Sequence, residues 1–120
     1  MRRWLLLLFS SVAPMLAAPA GAHAFLDHAS PAVGSTVHTA PTQVKLWFTE
    51  ELEAAFSTVQ VSKAGGERID KDDVRLDPAD ATLLSVSLPP LAPGLYRVKW
   101  RVLSVDTHAT EGDFTFDVAP

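Results

Sequence analysis

One stretch decides the fold class: Tyr96-Arg97-Val98-Lys99-Trp100-Arg101-Val102. Apolar and basic side chains alternate at every step along it. A period of two is typical of a β-strand that turns one face to a core and the other to solvent. The turn residues Pro93 and Gly94 come just before it, and they place Tyr96 at the start of a long strand.

The same alternation recurs on both sides of this stretch, and each segment is bounded by Pro, Gly, Asp or Ser. The further predicted strands are 44–48, 57–62, 84–88 and 114–118. We expect the acidic segment 70–80 to be a surface connection with a short strand in it, and helix to be limited to one turn around 52–56.

Strands of this number and spacing predict an all-β fold, a two-sheet β-sandwich with Greek-key connections. Tyr96 follows a turn at the start of a strand, as the tyrosine corner of immunoglobulin-like sandwiches does, where the hydroxyl bonds nearby backbone. The alternative is an ordinary interfacial tyrosine without that bond.

The N-terminal segment has the features of an export signal. Arg2 and Arg3 precede an apolar run that continues to about Ala18, and Ala20-Gly21-Ala22 is the small-x-small pattern of a cleavage site. The run is shorter than the ~20 residues of a spanning helix. We therefore predict a signal peptide at 1–22 and one mature domain at 23–120, in the periplasm or an equivalent space. An uncleaved N-terminal anchor is the alternative.

The composition of the chain narrows the class of ligand. There are 14 acidic against 10 basic residues, with no Cys and two Met. An acidic domain without Lys/Arg clusters argues against nucleic acid or anionic lipid as partner, and suits cations. Both methionines, Met1 and Met15, precede the predicted cleavage site, so residues 23–120 contain no sulfur.

Cleavage after Ala22 would give His23 a free α-amine. Such an amine has an ordinary pKa of ~7.7–8.0, well below that of a lysine amine. The amine nitrogen and Nδ1 of the same imidazole can chelate one ion in a six-membered ring. Nitrogen and oxygen donors in tetragonal geometry suit Cu(II), which heads the divalent affinity order.

Asp106-Thr107-His108 follows the long strand and is the second candidate site. If the chain stays extended there, Asp106 and His108 project from one face, roughly 6–7 Å apart. His108 could then supply a third nitrogen, and Asp106 an oxygen or an orienting hydrogen bond. The alternative for this motif is a solvated loop.

Read from His23, the chain resembles the CopC-type periplasmic copper-resistance and copper-carrier proteins. The resemblance spans nearly all of 23–120 and rests on the following stretches: His23-Ala24-Phe25-Leu26, Ser30-Pro31-Ala32, Gly34, Phe48-Thr49-Glu50, 94–108 and 112–116. It implies an immunoglobulin-like sandwich of seven strands. It also implies a Cu(II) site built from the His23 amine and imidazole with Asp106 and His108, and Glu50 as an outer-sphere candidate.

The resemblance predicts a protein of copper resistance or homeostasis that carries or buffers Cu(II), one ion per mature chain, and that is not an enzyme. Its expected partner is a membrane copper transporter similar to CopD, or an efflux system, and we expect a monomer. Some family members have a methionine-rich Cu(I) loop. The mature chain has no Met or Cys, so we predict a single Cu(II) site, because Cu(I) favours those ligands.

Two other functions fit parts of the pattern. Copper monooxygenases also hold copper in an N-terminal histidine brace, but they bring a second His without an Asp-x-His motif and are longer. A metal-free immunoglobulin-like interaction module would use none of these residues.

We predict a surface or sheet-face position for His28, because ~16 Å separate it from His23 along an extended strand, too far for both to bind one metal ion. His38 is expected in a solvated connection. Trp47 and Trp100 are expected in the core or on a sheet face, with a wall of the metal site as the alternative.

Overall fold

The computed structural model describes residues 23–120. The predicted signal peptide, 1–22, lies outside the described residues. The described part contains a 3-10 turn at Ala54–Phe56 and eight strands: β1 (Leu26–Ser30), β2 (Thr36–Val37), β3 (Gln43–Phe48), β4 (Thr58–Lys63), β5 (Arg75–Asp77), β6 (Asp80–Ser87), β7 (Gly94–Leu103) and β8 (Ala109–Val118). Within 23–120, no helix is long and apolar enough to cross a membrane.

The strands form two four-stranded sheets, in the orders β1-β3-β6-β5 and β2-β8-β7-β4. The chain changes sheet at every connection from β1 to β5 and again between β6 and β7, so only β5-β6 and β7-β8 are hairpins within one sheet. The predicted all-β sandwich is confirmed. The strand number is eight rather than seven, and the shortest strand, β2, pairs parallel with the end of β8.

The core lies between the sheets and is built from the apolar positions of the alternating segments. The largest side chains with almost no exposed surface include Leu46, Leu84 and Phe116. Along β7 the buried and exposed positions alternate as predicted from Tyr96 to Val102, with Trp100 half-buried. Burying apolar surface stabilises the fold by about 25 cal/mol per Å², and this chain has no disulfide to add to it.

Trp100 occupies space that a glycine leaves open. It pairs with Gly112 across the β7-β8 ladder, and a Cβ at Gly112 would come within 2.5 Å of Trp100 Cζ2. The Trp100 ring also meets Phe48 edge-on, with ring centroids 5.1 Å apart. Gly112 is therefore required for the close approach of the indole, which joins the two sheets near one end of the sandwich.

The tyrosine corner is present. The Tyr96 hydroxyl donates to the carbonyl oxygen of Ala92 at 2.5 Å, and its ring lies almost parallel to Phe116, with centroids 5.5 Å apart. The bond back to the preceding turn distinguishes this residue from an ordinary interfacial tyrosine.

The acidic connection between β4 and β5 is held by a buried carboxylate. The Asp70 side chain has no exposed surface. It accepts hydrogen bonds from Arg68 Nε at 2.9 Å and Nη2 at 3.0 Å, and from the backbone N–H groups of Val61 and Asp72 at 2.8 and 2.9 Å. Burial raises the pKa of the Asp70 carboxyl, but these hydrogen bonds and the Arg68 charge outweigh it, so the pKa lies below the ordinary 3.8.

Candidate metal centre

Three segments meet at one end of the sandwich, and we call them together the site end. They are residues 23–25 before β1, 49–56 after β3, and 104–108 between β7 and β8. Backbone hydrogen bonds join them: Thr49 N to Phe25 O at 2.9 Å and Val105 N to Glu51 O at 3.0 Å. Residues far apart in sequence are thereby brought to one surface.

The site end brings two predicted metal ligands into contact. The imidazole rings of His23 and His108 meet edge to face, with centroids 4.8 Å apart and an interplanar angle of 67°. Both residues are exposed. His23 is placed there by the segment leading into β1, and His108 by the last residue of the turn before β8. The contact brings two potential nitrogen ligands to the same surface.

The turn at 104–108 differs from the sequence expectation. Strand β7 ends at Leu103, which pairs with Ala109 of β8, so the chain must reverse within the intervening residues. The Ser104 N–H donates to His108 O at 3.0 Å, and the His108 N–H to Ser104 Oγ at 3.3 Å. Thr107 takes a φ of 67°, in the left-handed region. The condition for placing Asp106 and His108 on one strand face, an extended chain, is therefore not met.

Asp106 lies within this turn and is exposed, and Glu50 is half-buried in the bend after β3. Within 23–120, no cluster of three or more His, Cys, Asp or Glu side chains is close enough to hold an ion. The structure thus brings together His23 and His108, and it leaves Asp106 and Glu50 at the site end but outside that pair.

The segment carrying His23 is fixed by hydrogen bonds to two threonines. Ala24 has no exposed surface, and its carbonyl oxygen accepts from Thr110 Oγ1 at 2.6 Å. The Phe25 N–H donates to Thr49 Oγ1 at 3.0 Å, and the Phe25 carbonyl accepts from the Thr49 N–H. Sequence reasoning missed both roles. Thr49 belongs to the Phe48-Thr49-Glu50 motif, whereas Thr110 carries no sequence signal beyond its position shortly after His108.

The site end is strongly acidic. Its three segments contain the carboxylates of Glu50, Glu51, Glu53 and Asp106, and no Lys or Arg. A surface with one sign of charge raises the local concentration of counter-ions. The same surface exposes apolar side chains, with Phe25 58%, Phe56 68% and Val105 46% accessible.

The other aromatic and histidine side chains lie where they were predicted. His28, on β1, stacks on Trp47 of β3 with ring centroids 4.3 Å apart and an angle of 9° between the rings, and its Nδ1 is 2.6 Å from Asp27 Oδ2. His38 is exposed just after β2. His28 and Trp47 therefore belong to a sheet face, and Trp100 packs against the core.

Comparison with known proteins identifies the family. The model of the CopC domain matches residues 26–119. The chain belongs to the CopC family. It is 39% identical over 98 residues to Protein YobA of Escherichia coli K12, covering 81% of this chain and 79% of YobA. It is also 30% identical over 118 residues to the copper transport protein CutJ of Bacillus subtilis. That alignment covers 98% of this chain but 21% of CutJ.

Solved structures of the CopC family share the fold. CopC from Methylosinus trichosporium OB3b superposes with a TM-score of 0.77 at 36% identity, covering 82% of this chain and 95% of that one. PcoC, a methionine-rich copper resistance protein from Escherichia coli, gives a TM-score of 0.67 at 31% identity, covering 80% and 98%. The resemblance inferred from the sequence is confirmed.

Proposed function

We propose that this chain is an exported, periplasmic Cu(II)-binding protein that carries or buffers copper in copper resistance and homeostasis, with one ion per mature chain. The observation that supports it most directly is the contact between the His23 and His108 rings, with centroids 4.8 Å apart. They lie at the site end, whose three segments contain four carboxylates and no Lys or Arg. Family relatives named for copper resistance and copper transport supply the choice of metal.

The proposed ligands are His23, His108 and Asp106. After cleavage, His23 contributes its amine nitrogen and imidazole, and His108 a further imidazole nitrogen. In the uncleaved chain the His23 nitrogen is an amide and is no such donor, so removal of 1–22 creates the site. Asp106, in the same turn as His108, offers an exposed carboxylate that acts as a ligand or orients one. Glu50 is the outer-sphere candidate, since ligands are commonly oriented by hydrogen bonds from beyond the metal.

The donor set favours the oxidised ion. Amine, imidazole and carboxylate suit Cu(II), whereas Cu(I) prefers thiolate and thioether sulfur. Residues 23–120 contain neither Cys nor Met, while the related PcoC is described as methionine-rich. The proposal is therefore a single Cu(II) site without a sulfur-based Cu(I) site.

The proposed partner is a membrane copper transporter similar to CopD, or an efflux system. The similarity to CutJ supports this choice, because a region like this whole domain makes up about a fifth of a copper transport protein. A separate chain of the same kind would bring copper to such a protein as a monomeric carrier, without a catalytic step of its own.

The decisive experiment combines mass spectrometry of the exported protein with Cu(II) titration. We expect a mature mass that begins at His23 and one tightly bound equivalent. His23→Ala and His108→Ala should each lose most of the affinity, because each removes a nitrogen donor. His38→Ala, an exposed histidine beside β2, is the matched control and should bind as the wild type does. Wild-type affinity in either ligand variant would refute the proposed site.

A further inference from the structure

The segment before β1 crosses from one sheet of the sandwich to the other. Thr49 follows β3, which belongs to the sheet β1-β3-β6-β5, while Thr110 lies in β8, which belongs to the sheet β2-β8-β7-β4. Each threonine uses its hydroxyl to bind the backbone of this segment, Thr110 at Ala24 and Thr49 at Phe25. The residue directly following His23 is thus tied to one sheet, and the next residue to the other.

These hydrogen bonds fix the position of the backbone at Ala24 and Phe25. The Thr110 bond joins residues 86 positions apart, at 2.6 Å. Ala24 is completely buried, so the close-packed surroundings leave its small side chain little room to move. Both backbone polar groups of Phe25 are bonded to Thr49: its N–H donates to the Thr49 hydroxyl, and its carbonyl accepts from the Thr49 N–H. Backbone freedom next to His23 is therefore low even though the His23 ring is exposed.

We infer that Thr49 and Thr110 are positioning residues for the metal centre, forming a clamp that holds His23 beside His108 before the ion arrives. The identity of the ion rests on the proposed function, but the clamp itself does not. Without these hydrogen bonds the chain terminus would be flexible, and it would lose conformational freedom only when the ion binds. The clamp transfers that cost from ion binding to folding, and ligands held in place in advance bind more tightly.

The inference is tested with Thr110→Val and Thr49→Val, which remove a hydroxyl and keep a branched side chain. Thr110→Ser restores the hydroxyl. Thr115→Val is the matched control, because Thr115 lies in the same strand between the buried Phe114 and Phe116 and thus faces away from the core. Urea unfolding of all four variants establishes that each is folded.

Two readouts are taken on each folded variant. The first is Cu(II) affinity by chelator competition, together with the electron paramagnetic resonance spectrum of the bound ion. The second is made without metal: the heteronuclear NOE of the Ala24 amide and the rate at which an aminopeptidase removes His23. We expect Thr110→Val and Thr49→Val each to weaken copper roughly threefold to tenfold, as expected for one hydrogen bond, to lower the NOE and to speed trimming. Thr110→Ser and Thr115→Val should match the wild type.

The copper readout and the metal-free readout test the proposed metal and the clamp separately. An Ala24 NOE and trimming rate unchanged in both valine variants would overturn the clamp. A changed NOE with unchanged copper affinity and spectrum would overturn its positioning role. If the wild type bound no Cu(II), the proposed function would fail, while the metal-free readouts would still decide whether the clamp exists.

Discussion

Two acidic regions of this protein use their carboxylates in opposite ways. In the connection after β4, Asp70 is buried and accepts four hydrogen bonds, two of them from Arg68. At the site end, Asp106 is exposed and Glu50 half-buried, and none of the ion pairs found within 23–120 includes either of them.

The difference shows that net charge alone does not indicate a cation site. A carboxylate whose lone pairs are all engaged by guanidinium and backbone N–H groups contributes to folding and has little capacity for an ion. Carboxylates without such partners, at the same end of the sandwich as two imidazoles, retain that capacity. Substitutions in either region should therefore separate copper affinity from folding stability.

The first prediction concerns the terminal amine. Adding one alanine before His23 converts its amine into an amide, so copper affinity should fall by more than the roughly 10–100-fold typical of losing an outer-sphere partner. The free energy of unfolding should stay the same, because the Asp70 region is untouched. Chelator competition measures the affinity, and one alanine added after Pro120 is the control. Equal copper affinity in the two extended chains would argue against an amine ligand.

The second prediction concerns the paired region. Asp70→Ala leaves the buried Val61 N–H and the Arg68 side chain without their acceptor, and should lower the free energy of unfolding by about 1–3 kcal/mol. Copper binding should be unaffected. The control is Asp72→Asn, because the Asp72 side chain is 81% exposed and pairs only at the surface with Arg68. Asparagine also tolerates the left-handed φ of 55° at this position, so the change should cost at most about 0.5 kcal/mol. Similar losses in urea unfolding for both variants would contradict this assignment.

The third prediction concerns Asp106, for which the opposite result is expected. Asp106→Asn keeps the size of the side chain and removes its charge, so copper should bind roughly 10–100-fold more weakly. The free energy of unfolding should change by less than about 0.5 kcal/mol, as for other exposed side chains. Glu51→Gln, also exposed at the site end, separates a specific contact from the general negative field. Equal weakening in both variants would show that only the field contributes.

The fourth prediction is the pH dependence of stability, and it is the smallest effect. The pKa of Asp70 in the folded protein lies below its ordinary value of 3.8. Its contribution is therefore complete above that value and is lost as the pH falls through the lower, folded pKa. Unfolding measured from pH 5 to pH 2 should show a steeper loss of stability for the wild type than for Asp70→Asn. Parallel curves would mean that Asp70 titrates alike in both states.

Copper binding should also respond to acid. Binding displaces protons from the nitrogen ligands, so affinity should fall on acidification. A copper titration at several pH values, run beside the unfolding series, would show whether the two regions respond independently.

Local pattern was sufficient for most of the fold. Strands β3, β4, β7 and β8 follow from alternation, since burial of one face is recorded in every second residue. The sequence of β6 also alternates over 84–88, although residues 83–86 are all buried. The tyrosine corner follows from a turn placed directly before Tyr96. Neither β1 nor β2 was predicted. The mostly exposed β1 is interrupted by a register shift and does not alternate, and the two residues of β2 carry no measurable periodicity.

The site was less accessible to sequence reasoning, since it depends on contacts distant in sequence. The meeting of His23 and His108 could be expected only through the family resemblance. The turn at 104–108 reverses the chain at a left-handed Thr107, and a threonine gives no warning of that conformation. The bond from Thr110 to Ala24 spans 86 positions and leaves no trace in local pattern.

The position of the two histidines has a mechanical consequence. His23 lies at the proposed start of the mature chain and His108 in the last hairpin. An ion bound by both would therefore act as a reversible cross-link that closes a loop containing most of the domain. Cross-links across long loops reduce the freedom of the unfolded chain the most. In a protein without disulfides, loading with copper would then set resistance to heat and proteases, and release of the ion would return the domain to its more easily opened form.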